Sequence, residues 1–313
     1  MTATAKPGGA LRSSRRSLRR SQGRRAWAKV NLYLHVTGRR AGGYHTLDSL
    51  IVFAGIGDLL EAAPAPDLCL EVTGPFAGAL EDTADADNLV MRAARGLRER
   101  FGRDGGARLR LEKVLPVAAG LGGGSADAAV ALLSLCDLWD LHPAEGELAA
   151  LGLELGADVP VCLAGRPSFV AGIGEEITAA PPLPPVWLVL VNPGLPLSTA
   201  DVFAAREGDF SQPARWSGPI VEAAALAERL GAARNDLEPG ARSLAPRIGE
   251  ALAALQASTG CLIARLSGSG ATCFGLYGNQ ASAEAAAATI ARAQEGWWVQ
   301  AAPVLTDAGP ASG

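Results

Sequence analysis

Residues 116–129, Pro-Val-Ala-Ala-Gly-Leu-Gly-Gly-Gly-Ser-Ala-Asp-Ala-Ala, constrain this chain more than any other stretch. Ahead of them, residues 107–115 (ARLRLEKVL) alternate apolar and charged side chains, the period of a half-buried strand. Behind them, residues 126–139 are rich in Ala and Leu at helical spacing, so the glycines occupy a strand-to-helix turn. Four glycines among the five residues 120–124 leave backbone N–H groups uncovered by Cβ atoms, and the helix that follows aims the positive end of its dipole at them. A turn of this kind binds anions, phosphate above all; the same residues would also suit a flexible loop ahead of a core helix. Two common glycine loops are excluded. A Walker A loop ends Gly-Lys-Ser/Thr, and Gly123-Gly124-Ser125 has no lysine; a dinucleotide fingerprint counted from Gly120 needs a glycine where Ser125 stands.

With 313 residues and 49% apolar content, the chain has length for two domains with sizeable cores. No apolar run approaches the roughly 18 residues that a membrane helix needs, so a soluble protein is expected. Residues 1–25 hold eight of the 28 basic side chains and no acidic one, leaving 20 basic against 32 acidic side chains, a net of −12, in the rest. An acidic body argues against nucleic acid as the main partner; the tail alone could act as a nucleic-acid tether. Residues 1–24, with serines among arginines, have the composition of a transit peptide; a disordered arm or a start assigned too early fits better, and they are left out of the fold. Cys69, Cys136, Cys162, Cys261 and Cys273 lack CxxC spacing, which suits reduced thiols in the cytoplasm rather than disulfides or zinc.

Residues 26–36 read as the first strand, with Ala26, Ala28, Val30, Leu32, Leu34 and Val36 on one face and Trp27, Lys29, Asn31, Tyr33 and His35 on the other. Lys29, one of only three lysines, is either solvated or part of a site, and Asn31 two residues on favours a site. Tyr44 and His45 close a Gly/Arg-rich loop before a strand at 47–53; together they could stack on and hydrogen-bond to a base ring. A helix is expected around 144–155, then Asp158 before Pro160, a turn residue by local sequence, then a strand at 161–164 and a hairpin within 165–177. Four prolines in 181–185 mark a domain boundary. Beyond it come a strand at 186–191, a loop through Thr199, helices at 218–230 and 248–257, a strand-loop-strand unit at 261–277, a helix at 281–293 and a strand at 297–303. Residues 304–313 read as a frayed end, and there are no repeats.

The order Pro116-x3-Gly120-Leu121-Gly122-Gly123-Gly124-Ser125-Ala126, strand before and helix after, resembles the phosphate loop of the small-molecule kinases that include galactokinase, homoserine kinase and mevalonate kinase. The likeness extends to Ala28-Lys29-Val30-Asn31-Leu32, Gly38-Arg39-Arg40-x-Gly-Gly-Tyr44-His45, Asp87-Asn88-Leu89-Val90, Gly156-Ala157-Asp158-Val159-Pro160 and Ser267-Gly268-Ser269-Gly270-Ala271, in family order from residue 26 to about 302. Ala126-Asp127 departs from the commoner Ser-Asn at that place.

This resemblance implies an α+β, two-domain kinase: a ribosomal-protein-S5-domain-2-like, nucleotide-binding N-terminal domain (25–180) and a ferredoxin-like C-terminal domain (186–303). It implies ATP as co-substrate with Mg²⁺, the metal ligands being unassigned. Pro116, Ala118, Ala119 and Gly120 through Ala126 would hold the phosphates, and Asn88 the adenosine end. Asp158 would be the catalytic base, with Lys29 offsetting charge on the transferred group. Asn31 and Thr199 would meet the substrate, and Tyr44 with His45 its cytosine. Gly268, Ser269 and Gly270 would close on the nucleotide. The Lys-x-Asn and Gly-Tyr-His elements point within the family to a cytidine diphosphate-linked methylerythritol, phosphorylated on its tertiary 2-hydroxyl, with no obligate protein partner. A mevalonate- or homoserine-type acceptor is the nearest alternative, and a non-catalytic nucleotide-binding protein a more distant one.

Overall fold

The computed structural model describes residues 23–81, 88–144 and 146–306. The N-terminal half runs β1 (Arg24–Arg39), β2 (His45–Ala65), β3 (Leu68–Thr73), α1 (Leu89–Arg100), β4 (Gly106–Glu112), α2 (Gly123–Trp139), α3 (Glu147–Leu155), α4 (Val159–Ala164), β5 (Ser168–Gly172) and β6 (Glu176–Ala179). After the proline run come β7 (Trp187–Asn192), α5 (Thr199–Ala204), α6 (Ala223–Gly231), α7 (Glu238–Leu244), α8 (Arg247–Ala257), β8 (Ile263–Leu266), β9 (Cys273–Tyr277), α9 (Gln280–Ala293) and β10 (Trp298–Leu305). The tail residues 1–22 and the end 307–313 lie outside the described residues. Arg24, assigned to the tail from sequence, already opens β1, and β10 carries order to Leu305, past the expected fraying at 304.

β2, 21 residues long, organises the sheet by pairing with β1, β4, β5 and β10. The strands follow the order β3-β4-β2-β10-β7-β9-β8, with β1 also on β2 and the β5–β6 hairpin beside it. β10 pairs antiparallel with both β2 and β7, so the last strand among the described residues joins the two halves through backbone hydrogen bonds. In the C-terminal half β9 and β10 flank β7, each antiparallel to it, and α9 makes the crossover between them.

β4 alternates buried and exposed residues as its sequence requires. β1 does not: its register shifts at Trp27/Ala28 and Asn31/Tyr33, and both faces are covered, so Lys29, Asn31 and His35 are buried with the apolar residues. α2 is enclosed, and its alanines let it pack closely against α1, α4 and the sheet. Each fully buried Leu or Val there contributes about 1.5–3 kcal/mol.

The expected strand at 161–164 is the helix α4. Pro160 lies in its first turn, where proline's fixed φ suits a helix and its missing N–H costs nothing; a short apolar run cannot by itself distinguish the two states. Residue 199, expected in a loop, begins α5 instead, capped by Ser198 Oγ accepting from Asp201 N–H at 3.3 Å. The helix expected at 218–230 starts only at Ala223, and α7 has no counterpart in the sequence reading.

Candidate active site

Period two along β1 sends Lys29 and Asn31 to one side of the strand. Lys29 Nζ donates to Asn31 Oδ1 at 2.9 Å and stands 3.0 Å from Asp158 Oδ2. The Lys29 side chain is 5% exposed and that of Asp158 41%, so the ion pair runs from the core to the wall of a cleft. Asn31 Nδ2 donates to Ser49 Oγ at 2.8 Å, and Ser49 Oγ donates to the Tyr33 carbonyl at 2.6 Å. The serine therefore orients the amide and the amide orients the ammonium. Of the three ammonium donors, Asn31 occupies one, and Asp158 stands beside the ammonium as its ion-pair partner. Asp158 arrives as the residue preceding α4, held by the turn that Gly156 and Pro160 bracket.

The glycine turn packs against this pair. Gly120 and Gly122 have φ of +74° and +62°, and Ala118, without glycine's freedom, has +51°. A Cβ on Gly122 would lie 2.9 Å from Lys29 Cε, and one on Gly120 would lie 2.4 Å from the Ser267 carbonyl oxygen. The loop thus meets the lysine stem on one side and the backbone of the 267–270 turn on the other. Hydrogen bonds fix it there. Lys29 N–H donates to the Leu121 carbonyl at 2.8 Å, Thr272 N–H to the Ala119 carbonyl at 3.0 Å, and Ser267 Oγ to the Gly120 carbonyl at 3.0 Å while accepting from Asn31 N–H at 3.2 Å.

Gly123, Gly124 and Ser125 form the first turn of α2, where N–H groups have no intrahelical acceptor. The N–H of Ala126, expected among the phosphate contacts, donates to the Gly122 carbonyl at 2.9 Å, and its methyl is buried. Helical bonding begins there, so the free N–H groups stop at Ser125. The Leu121 side chain likewise belongs to the core.

These groups line a cleft of about 1060 Å³. Ala118, Ala119, Gly120, Gly122 through Ser125, Lys29, Asn31 and Asp158 form part of its wall, with Tyr44, His45, Thr199, Gly268 and Ser269 also reaching it. Tyr44 is 69% exposed. The His45 ring stacks on Phe203 of α5 with centroids 5.1 Å apart. Burial, and then the Arg39 and Arg206 guanidinium groups, hold His45 below its ordinary pKa, so a neutral ring with one donor and one acceptor is favoured. Thr199 Oγ1 lies 2.9 Å from Ser269 Oγ, linking α5 to the 267–270 turn. Pro116 and Asn88 line an adjoining pocket of about 170 Å³ that shares Leu89, Ala118, Gly123 and Gly124 with the cleft. There Asn88 Oδ1 accepts from Val90 N–H at 2.9 Å, capping α1; Asp87 lies outside the described residues.

Several contributors escaped the sequence reading. Ser49 and Phe203 carry no local signal, because partners distant in the chain give them their roles. Ser267 lay within a quoted motif, but its link to Gly120 is purely tertiary. A further contributor is a buried triad: Lys113 Nζ donates to Asp58 Oδ2 at 2.5 Å and to Asp127 Oδ2 at 2.7 Å, beneath Gly123. Asp58 Oδ1 accepts from the Val114 and Leu115 N–H groups, anchoring the strand that enters the loop, whereas Asp127 Oδ1 has no protein partner. Asp127 is thus tied to the loop through Lys113 and lines the smaller pocket with Asn88, Gly123 and Gly124.

Burial, only partly offset by Lys113 and reinforced by the Asp58 carboxylate, pushes Asp127 up to about 7 from 3.8. A carboxyl group raised on folding contributes stability at low pH that is lost as pH climbs from the unfolded value through the folded one. Asp127→Asn removes that dependence. The wild-type unfolding temperature, minus that of the variant, should therefore fall between pH 4 and 7 in thermal melts; a flat difference would show that Asp127 titrates normally.

Comparison with known proteins gives one family throughout. Residues 88–166 match the GHMP kinases N terminal domain and residues 218–295 the GHMP kinases C terminal domain. A 4-diphosphocytidyl-2-C-methyl-D-erythritol kinase of Paramagnetospirillum magneticum is 55% identical over 279 residues, 89% of this chain and 97% of the relative. Its counterpart in Rhodospirillum rubrum is 52% identical over 282 residues, 90% of this chain and 92% of the relative. The crystal structure of a 4-(cytidine 5'-diphospho)-2C-methyl-D-erythritol kinase superposes with a TM-score of 0.73 at 36% identity, covering 93% of this chain and all of that one. A homoserine kinase from Cytophaga hutchinsonii, 18% identical with a TM-score of 0.69, shares the fold over 96% of this chain and 99% of its own.

Proposed function

The chain belongs to the 4-diphosphocytidyl-2-C-methyl-D-erythritol kinases, a branch of the GHMP kinases, and on that premise we propose how its cleft performs their reaction. The reaction is ATP-dependent phosphorylation of the substrate's 2-hydroxyl, giving ADP and the 2-phosphate, in non-mevalonate isoprenoid precursor synthesis. The observation that carries the mechanism is the 3.0 Å approach of Lys29 Nζ to Asp158 Oδ2 on the wall that the glycine turn shares.

Phosphoryl transfer requires mainly that groups be positioned and charge be offset. The N–H groups of Gly123, Gly124 and Ser125 receive ATP's phosphates at the positive end of α2. Asp158 accepts the proton of the 2-hydroxyl as its oxygen attacks the γ-phosphorus and the bond to the ADP oxygen breaks. A Lys29 donor that Asn31 leaves free meets the charge that grows on the transferred phosphoryl oxygens. Asn31 holds Lys29 in place, leaving its second amide proton for the diol. Tyr44, His45 and Phe203 receive the cytosine, Thr199 and Ser269 close the cleft, and Asn88 marks the adenosine end.

Mg²⁺ accompanies ATP in this reading. Among the described residues no cluster of three His, Cys, Asp or Glu could hold a metal. That donor set suits an ion held mainly by phosphates and water, with Ser125 Oγ and Asp158 the protein groups at hand. The metal would offset phosphate charge. Five free thiols favour a reducing compartment, the cytoplasm; among the described residues no helix is long and apolar enough to cross a membrane.

ADP release in the presence of the cytidine-linked substrate, mevalonate or homoserine tests the assignment. Turnover should occur with the first alone. Turnover with either of the others moves the chain to another acceptor class, and ATP binding without any turnover makes it a non-catalytic nucleotide binder.

A further inference from the structure

The charge lining the large cleft is lopsided: Lys29, Arg39 and Arg206 stand against a single carboxylate, Asp158. Lys29 is matched by Asp158. The two arginines are not at the glycine turn, which already offers N–H groups and a helix dipole to ATP. They lie near His45, whose pKa both depress. Each is partly fixed by backbone: Arg39 Nε donates to the Gly43 carbonyl at 3.0 Å, and Arg206 donates from Nη1 to the Gly208 carbonyl at 3.0 Å and from Nη2 to the Asp209 carbonyl. Arg206 also lies over the Phe210 ring at 5.0 Å. That anchoring leaves Arg206 Nε–H buried with no protein acceptor. A buried charged donor without an acceptor is costly unless a ligand supplies one.

We propose that Arg206, assisted by Arg39, forms the subsite for the diphosphate that links the acceptor's cytosine to its phosphorylated alcohol. The proposal rests on the reading of this cleft as the site of a cytidine diphosphate-linked acceptor. In that reading the base lies at Tyr44, His45 and Phe203 and the alcohol at Lys29 and Asp158. The diphosphate must therefore lie between them, and the unmatched cations border its base-binding side. A fixed guanidinium with a free Nε–H suits phosphate oxygens better than a mobile ammonium does. Two positive groups there also neutralise the diphosphate, so that the second anionic substrate can enter beside ATP.

The test is inhibition by cytidine and by CDP, competing against the cytidine-linked acceptor at saturating ATP. In the wild type, CDP should bind about 10–100-fold more tightly than cytidine, the size of a charge-assisted contact. Arg206→Gln should erase most of that ratio by weakening CDP alone and raise the acceptor KM with no change in the KM for ATP. Arg206→Lys should restore it only partly, and Arg39→Gln should lower it by a smaller factor. If Arg206 merely anchors residues 208 and 209, cytidine and CDP weaken together, the ratio is retained and the proposal is overturned. His45→Ala separates the underlying reading, because it should weaken cytidine and CDP equally. If cytidine does not compete in the wild type while CDP does and depends on Arg206, the diphosphate subsite stands and the base assignment falls. If neither competes, both fall.

Discussion

Asp158→Asn should lower kcat about 10²–10⁴-fold, the usual contribution of a positioned general base, while leaving the KM for either substrate within a few fold. Asparagine has nearly the same shape, and its amide oxygen can still accept from Lys29 Nζ, which stands 3.0 Å from the carboxylate it replaces. The ordering of Lys29 by Asn31 and Ser49 is untouched, because it runs through other atoms. What disappears is the basic oxygen that takes the hydroxyl proton. The loss should therefore appear at saturating substrates, in ADP release and single-turnover rates alike. Lys29→Met should also cost orders of magnitude, and the double variant should lose little more than the worse single one, because groups that act as a unit are not additive. Near-normal turnover by Asp158→Asn would remove the carboxylate from proton transfer.

Gly120→Ala should be the most damaging single methyl in the cleft. At φ +74° an alanine incurs the left-handed strain, about 1–2 kcal/mol. Its Cβ would also lie 2.4 Å from the Ser267 carbonyl oxygen and 2.8 Å from that of Gly270, both backbone atoms that cannot rotate aside. Separating the two turns adds about 1–3 kcal/mol of overpacking. It also lengthens the Ser267 hydrogen bond to Gly120, which links the loop to β1 through Asn31. The expected result is a drop of about 2–4 °C in unfolding temperature per kcal/mol lost, together with a raised KM for ATP. Gly102→Ala is the control. It shares the left-handed conformation, with φ +56°, but a Cβ there meets nothing within 4 Å, so it should bear only the strain and leave ATP binding alone. Equal effects from the two substitutions would mean that the contact between the glycine motifs has no energetic weight.

The sequence carried much of this because phosphate binding imposes local rules. Gly120 and Gly122 stand where the chain turns left-handed, one against backbone and the other against the Lys29 stem, and β4 and α2 show their periods plainly. It carried less where structure depends on partners distant in the chain. The spacing of Lys29 and Asn31 on β1 favours a site, yet the contacts from Ser49, Asp158 and Ser267 that bury this face are tertiary and leave no local signal. α4 differs from the expected strand because four apolar residues have no period of their own and Pro160 serves a helix start as well as a strand start. The family resemblance puts Ala126 among the phosphate contacts; that its N–H is engaged within α2 follows only from the helix register. The oddity at Asp127 was visible as a departure from the motif, but its meaning required Lys113 and Asp58, brought beneath the loop from β2 and the end of β4.

The most direct test of the account is a structure of the protein with a non-hydrolysable ATP analogue and the cytidine-linked acceptor bound together. The acceptor 2-hydroxyl should lie within about 2.6–3.2 Å of an Asp158 carboxylate oxygen and about 3–3.5 Å from the γ-phosphorus, with Lys29 Nζ on a γ-phosphoryl oxygen. A γ-phosphate seated away from residues 122–125, or a hydroxyl out of reach of Asp158, would contradict it.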